Sequence, residues 1–317
     1  MTNRCDLMAV GLTTLDVTVY PVDALPEPDG GQLVERICLA PAGTAAGTAY
    51  VAAKLGLSAT IVSAVGSDPQ GRIVRSMLEE GGVDTAMLET SDAMPTSTTV
   101  LPVRSDGARP IFHMIGASVM ADIPAGAWAA ANQAKGVHWG AVGFPGVKDS
   151  GADFLRAART AGAFITCDLI VPSEESMQDL ARLLPFVDLF MPSLSEISYL
   201  AGTEDPNEAA AFFMNLGAGG CVFKMGAQGA LLITREQKIA VPGFNIVPVD
   251  TTSCGDSFCA GFHAARGRDL PLEDCLRFAS ATAAQVAQAV GTTGALQGFD
   301  TTWDFARTAP LRQGIAA

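Results

Sequence analysis

Short apolar runs alternate along this chain with longer stretches in which apolar residues recur every three or four positions, the periods of buried strands and of amphipathic helices. Leu7-Met8-Ala9-Val10-Gly11 reads as a buried first strand, and residues 59–65, 137–142, 163–168, 187–191 and 221–225 read as further strands. Helical spacing predicts helices over 44–55, closed by Gly56, and over 71–80, stopped by Gly81-Gly82. It predicts others over 153–161, 207–216, 257–266 and 272–290. Residues 98–103 and 110–115 flank Ser105-Asp106-Gly107, a hairpin signal, and 230–233 with 238–241 form a second. Residues 12–39 are less regular, broken by Pro21, Pro26, Pro28 and Gly30-Gly31, with a β-like stretch at 33–39; the tail after Thr301 is weakly patterned.

Strand and helix in alternation predict an α/β fold with a central, mostly parallel sheet and helices on both faces. Two β-like stretches, about 12–40 and 96–115, do not fit that rhythm. They are expected to pair as a small sheet inserted in one domain spanning 1–317, covering one edge of it.

Composition narrows the function. Half of the 317 residues are apolar and 17% are charged, enough for a large core. The formal charge of −13 repels nucleic-acid backbones and anionic membranes, so neither is an expected partner. An anionic ligand would have to be met locally by backbone N–H groups, a metal ion or a few cations. Seven scattered cysteines with no C-x-x-C pair argue against a disulfide framework or zinc site and fit a reducing compartment. The apolar run within residues 1–11 is too short for a signal peptide, and no run of 18 uncharged apolar residues follows. The expectation is a soluble, cytoplasmic protein.

The segment that carries most chemistry is Asp250-Thr251-Thr252-Ser253-Cys254-Gly255-Asp256-Ser257-Phe258. A turn of small residues ends where an apolar helix begins, so unpaired N–H groups and the helix dipole favour an anion beside the Asp256 carboxylate. An Asp ahead of an apolar helix is, on its own, most often an N-cap.

This segment resembles the D-T-x-G-A-G-D signature of the ribokinase-like (PfkB) carbohydrate kinase family, with Ser253 and Cys254 where that pattern has Gly and Ala. The resemblance implies that Asp256 takes the proton from an acceptor hydroxyl and that Ser253, Cys254 and Gly255 line an anion hole for the transferred phosphoryl group. Ser253 carries a conformational cost if its φ is positive, and Cys254 at a helix start is a candidate for a lowered thiol pKa, or else a small packing residue. Ala42-Gly43-Thr44-Ala45-Ala46-Gly47 is similar to the family's G-G-x-x-x-N stretch beneath the substrate, with Gly47 in place of Asn. Gly11-Leu12-Thr13-Thr14-Leu15-Asp16 is similar to the family's G-x-x-x-x-D, whose Asp binds substrate hydroxyls. Gly43, Gly47 and Asp16 are therefore the implied substrate residues.

Ser193-Leu194-Ser195-Glu196 resembles the family's N-x-x-E, which implies that Glu196 holds hydrated Mg²⁺; read alone, Glu196 is an exposed first-turn residue. Lys224-Met225-Gly226-Ala227-Gln228-Gly229 resembles the K-x-G-x-x-G segment of the nucleotide site, implying that Ser193, Lys224, Gly226, Gly229 and Gly255 meet ATP. Val65-Gly66-Ser67-Asp68-Pro69-Gln70-Gly71 and Gly82-Val83-Asp84-Thr85 also match, as turns and caps, and Arg109 reads as a solvated charge on the lid hairpin. His113, His138 and His263 are isolated and read as core or surface residues.

The resemblance thus implies an ATP- and Mg²⁺-dependent kinase of a small sugar-like molecule or nucleoside, with a β lid that pairs two subunits as a homodimer and with monovalent-cation activation left open. Two rivals differ in class. One is a ligand-binding regulator on the same fold, suggested by Ser253, Cys254, Gly47 and Ser193. The other is an NAD-dependent dehydrogenase, disfavoured because no G-x-G-x-x-G follows a strand.

Overall fold

Leu7 and Ala9 pack into one hydrophobic core and Met8 and Val10 into another, so the first strand is buried on both faces. The computed structural model describes residues 5–312; residues 1–4, the beginning of the stretch read for a leader, and residues 313–317 lie outside the described residues. Thirteen strands are described: β1 (Leu7–Gly11), β2 (Thr14–Tyr20), β3 (Arg36–Ala42), β4 (Ala59–Gly66), β5 (Leu88–Ser91), β6 (Ser97–Pro102), β7 (Phe112–Met114), β8 (Gly136–Gly140), β9 (Phe164–Cys167), β10 (Leu189–Phe190), β11 (Gly220–Lys224), β12 (Gly229–Thr234) and β13 (Lys238–Pro242).

Nine of them form the central sheet in the order β13-β12-β11-β10-β9-β8-β1-β4-β5. Pairings from β5 to β11 are parallel, and the hairpin β12–β13 closes the other edge in antiparallel register. The chain leaves β1 toward β4 and then returns to β8 on the opposite side. Ligands of open α/β sheets sit at the carboxyl ends beside such a reversal.

Helices α1 (Ala46–Lys54), α2 (Pro69–Glu80), α3 (Ala117–Met120), α4 (Ala125–Ala131), α5 (Gly151–Thr160), α6 (Glu174–Leu183), α7 (Leu194–Ala201), α8 (Pro206–Asn215), α9 (Cys254–Arg266), α10 (Leu272–Val286) and α11 (Phe299–Thr308) complete the chain. Residues of α1, α2, α9 and α10 share the core with Leu7 and Ala9, and residues of α4, α5, α6 and α8 share the one with Met8 and Val10. Local chemistry fixes several starts: Asp68 caps α2 through Gly71 N–H at 2.8 Å, with Pro69 at the first helical position. Helix α9 lies close on α10 because residue 261 is Gly; a Cβ there would sit 2.5 Å from Thr282 Oγ1. His138 and His263 share the Thr166 hydroxyl at 2.9 and 2.8 Å, and burial holds both imidazoles well below their ordinary pKa, so they are neutral core groups.

The remaining four strands form a second sheet in the order β3-β2-β6-β7. Its hairpin around 105–107 has the register Thr98↔Met114. The irregular stretch at 12–39 resolves into β2 and the start of β3, and the weakly patterned tail contains α11. Strand β5 and helices α3, α4 and α6 are further elements that the hydrophobic pattern did not announce.

Candidate active site

The central sheet delivers its polar residues to one rim. Gly11 and Gly140 end β1 and β8, and Thr44, at the turn before α1, packs on both: a Cβ at either glycine would sit 2.5 Å from its hydroxyl oxygen. That hydroxyl accepts from Leu12 N–H at 3.0 Å and donates to Gly140 C=O at 2.8 Å, which docks the start of α1 on the rim. Asp168 follows β9, Ser193 follows β10 and Lys224 ends β11. A cavity of about 580 Å³ opens along this rim.

Most residues singled out from the sequence line this one cavity: Gly43; Ser193, Glu196 and Lys224; Gly226 and Gly229; and Ser253, Cys254, Gly255 and Asp256. Two do not line it. Gly47 lies behind the carboxylate of Asp256, where a Cβ would sit 3.0 Å from Asp256 Oδ2. Asp16 is on β2 of the second sheet, 5% exposed, and its Oδ1 has no hydrogen-bond partner.

Asp256 stands in the first turn of α9. Ser257 N–H is bonded back to Ser253 C=O at 2.8 Å, and Cys254 N–H reaches Thr251 C=O only at 3.4 Å. The amide of Gly255 thus belongs to the helix start, whose N–H groups have no intrahelical acceptor. The Lys224 ammonium lies directly above: a Cβ on Gly255 would be 3.3 Å from Nζ. Lys224 is ion-paired with Asp168. Burial alone would lower the Lys224 pKa, but Asp168 and Glu196 outweigh it and keep the ammonium charged.

Acids outnumber this cation locally. Burial, then the charge of Asp168, raises Asp256 to about 7 against the pull of Lys224; Asp16 adds to the rise, and the Ser253 hydroxyl opposes it. Burial also raises Asp16 to about 7, opposed by the Thr99 hydroxyl and Arg109. Glu196 is raised by burial and by Asp168; one of its oxygens accepts from Ser193 N–H at 2.6 Å, so it is a partly buried cap, not an exposed residue.

Two open readings are resolved here, those of Cys254 and Ser253, and one expectation, that of Arg109, needs correction. Cys254 has no lowered pKa: burial pushes its thiol up to about 12, and it packs against α10 with Sγ 3.6 Å from Ala283 C=O. Arg109 is not simply a solvated turn charge, since its Nε donates to Thr251 Oγ1 at 2.9 Å and ties the second sheet's hairpin to the loop before α9. Ser253 adopts φ 55° and ψ 12°, the left-handed region in which the family's Gly costs nothing.

Sequence reading missed Asp168, although its place after a parallel strand was a signal. It also missed the wall formed by Phe244, Ile246 and Arg312. That wall is built by residues 310–312 pairing with the segment after β13, through Asn245 N–H to Pro310 C=O and Arg312 N–H to Gly243 C=O. Among the described residues no three His, Cys, Asp or Glu side chains are grouped to hold a metal ion, and no helix is long and apolar enough to cross a membrane.

Comparison with known proteins agrees with this geometry. Residues 5–297 match the family described as pfkB family carbohydrate kinase. The nucleoside kinase of Methanothermobacter thermautotrophicus is 30% identical over 299 residues, covering 92% of each chain. The ATP-dependent ribose-1-phosphate kinase of Halopiger xanaduensis is 28% identical over 312 residues, 98% of this chain and 97% of the relative. The Escherichia coli putative ribokinase II in complex with ATP and Mg²⁺ superposes with a TM-score of 0.82 at 21% identity, over 95% of this chain and 98% of that one. The chain belongs to the pfkB family of carbohydrate kinases and is a phosphotransferase with an alcohol group as acceptor.

Ser253→Gly should remove a left-handed penalty of about 1–2 kcal/mol, partly offset by about 0.5–1 kcal/mol of added unfolded-state entropy. A thermal melt should show Tm rising by a few degrees at most. A lower Tm would mean that the contact of the Ser253 hydroxyl with Asp256 outweighs the strain.

Proposed function

We propose that this kinase moves the γ-phosphoryl group of ATP to a hydroxyl of a small sugar or nucleoside, with Asp256 as the general base. The observation that carries this reading is the placement of a carboxylate with a pKa of about 7 in the first turn of α9, beside helix-start amides and the Lys224 ammonium. A base is most effective when its pKa lies near the working pH. In this reading Asp256 takes the proton of the acceptor hydroxyl as its oxygen bonds to the γ-phosphorus. The bond from that phosphorus to the β-phosphate bridging oxygen breaks, and ADP leaves. The amides at Ser253, Cys254 and Gly255 and the Lys224 ammonium balance the negative charge on the transferred group. Gly43 and Asp16 belong to the acceptor side, and Gly47 seats the Asp256 carboxylate from behind. Ser193, Gly226 and Gly229 border the nucleotide, with the wall of Phe244, Ile246 and Arg312 beyond.

The residues present suit a hydrated Mg²⁺. Glu196 lines the cavity beside Asp168 and Lys224, and an ion bound mainly by phosphates and water needs only one or two protein carboxylates. When bound, Mg²⁺ neutralises charge on the β- and γ-phosphates. A monovalent cation belongs to the same proposal. The buried Asp250 carboxylate accepts from Thr252 N–H at 2.8 Å and Gly291 N–H at 3.0 Å, tying the loop before α9 to the loop after α10.

The proposal treats the chain as one functional unit whose second sheet, from about 12–40 and 96–115, is a lid that excludes water from the reaction. Phe112 is 60% exposed and Ile37 65%, with Leu39 and Val100 also exposed, an apolar face suited to a second copy of the chain. A homodimer through this face is therefore part of the reading. The free thiols of all seven cysteines fit a cytoplasmic setting.

Asp256→Asn should abolish turnover while ATP still binds, and kcat/KM of the natural chain should rise with pH through an apparent pKa near 7. The folded-state pKa of Asp256 exceeds the ordinary 3.8, so holding it ionised costs stability, most above pH 7 and less as pH falls toward 3.8. Asp256→Asn should therefore raise Tm at about pH 8 and raise it less at about pH 5. Retained turnover, or a stabilisation that grows on acidification, would contradict the assignment.

Glu196→Gln should shift the Mg²⁺ titration of activity to higher concentration, with the same assay in KCl and NaCl reporting any monovalent effect. An unchanged Mg²⁺ titration removes the metal role of Glu196, and equal rates in the two salts remove the cation. Phe112→Asp should convert a dimer to a monomer in analytical ultracentrifugation; a dimer that survives would place the subunit contact elsewhere.

A further inference from the structure

Lys224 ends β11 on a flexible stem, and its ammonium interacts with three carboxylates, those of Asp168, Glu196 and Asp256. Among the described residues it is ion-paired with Asp168 alone. The choice of partner has a chemical consequence. An ammonium paired with Asp256 would favour the ionised form of that carboxyl and make it a weaker base. What ties Lys224 to Asp168 therefore bears on the base as well as on the anion site.

The Asp168 carboxylate is fixed at both oxygens. Oδ1 accepts from Leu169 N–H at 2.9 Å. Oδ2 accepts from the Lys224 ammonium and from the Cys259 thiol, whose Sγ is 3.7 Å away. Cys259 stands on α9, three residues after Asp256 and four after Gly255, so the three share one face of the helix. The ion pair lies against that face: a Cβ on Gly255 would be 3.3 Å from Lys224 Nζ and 4.0 Å from Asp168 Oδ2. Cys259 is fully buried, and burial holds its thiol well above the ordinary pKa. The thiol thus keeps its proton and meets the carboxylate as a donor. A thiol is a weak donor, and an ion-paired carboxylate in a dry site is the kind of acceptor that strengthens such a bond.

We infer that Cys259 is a positioning residue: its thiol fixes the Asp168 carboxylate, which holds the Lys224 ammonium over the first amides of α9 and away from Asp256. Cys259 is not among the residues that line the cavity, so it acts through Asp168 and Lys224 and not on a ligand. Helix α9 in this way carries the base and, one turn on, the donor that keeps the counter-charge off it. Leu169 N–H holds one Asp168 oxygen from the backbone, and Cys259 supplies the side-chain hold on the oxygen that meets Lys224.

The effect on ATP rests on the kinase reading, whereas the thiol bond does not, so two measurements separate them. The infrared S–H stretch of Cys259, isolated as the difference between the natural chain and Cys259→Ala, should move to higher frequency in an Asp168→Asn background, where the charged acceptor is gone. In an ADP-release assay with adenosine, ribose and fructose, Cys259→Val, which fills the space without a donor, should raise KM for ATP about fivefold. KM for the acceptor should change less than about twofold. Cys259→Ser, which keeps a donor, should retain the KM for ATP of the natural chain. An S–H band unmoved by Asp168→Asn, a KM for ATP unmoved by Cys259→Val, or a loss in Cys259→Ser as large as in Cys259→Val overturns the inference and leaves the kinase reading standing. No ADP release by the natural chain with any of the three overturns the kinase reading and the ATP effect with it.

Discussion

The site is organised by a shortage of positive charge around a buried carboxylate. Asp168 and Asp16 both act on Asp256, and Asp168 acts on Glu196, while Lys224 is ion-paired with Asp168. Removing carboxylates from water disfavours their charged form, and a like charge nearby disfavours it further. Both effects raise Asp256 to about 7, a value at which it can take a proton near neutral pH. The same crowding leaves Lys224 charged beside Gly255, where an incoming phosphoryl group needs a counter-charge. Base and anion site are thus two results of one arrangement.

The sheet makes that arrangement possible by geometry rather than by local sequence. Parallel strands carry Asp168, Ser193 and Lys224 to one rim, and the glycines ending β1 and β8 let Thr44 settle there. Gly47 then allows the Asp256 carboxylate to rest against α1. An Asn at that position would have to share the space with the carboxylate, so the departure from the family pattern and the position of the base are linked. Ser253 has a related role at the other end of the loop: it holds the left-handed turn without the freedom of glycine, and its hydroxyl bears on Asp256.

What could be read from the sequence was what local spacing encodes. The strands that pack on both faces, the caps at Asp68 and the helix start at Asp256 follow from residues within a few positions of one another. Strand β2 was obscured because the alternation in Thr14–Tyr20 runs straight into a segment of prolines. Helix α6 carries the spaced apolar residues Met177, Leu180 and Leu183, but its first turn is dominated by Ser and Glu, which signal a cap as readily as a loop. Asp168 and the tie made by Arg109 were illegible for a different reason. Each gains its meaning from a partner 56 or 142 positions away, set by strand order and register that no local pattern contains.

The central claim is that burial and neighbouring acids hold the Asp256 carboxyl far above an ordinary aspartate. Carbon-13 NMR titration of aspartate-labelled protein, compared with the Asp256→Asn variant, measures this without any substrate. The account predicts a carboxyl resonance titrating near pH 7 that is lost in the variant. If the resonance lost in the variant titrates near 4, Asp256 is an ordinary carboxylate and the account of the site is wrong.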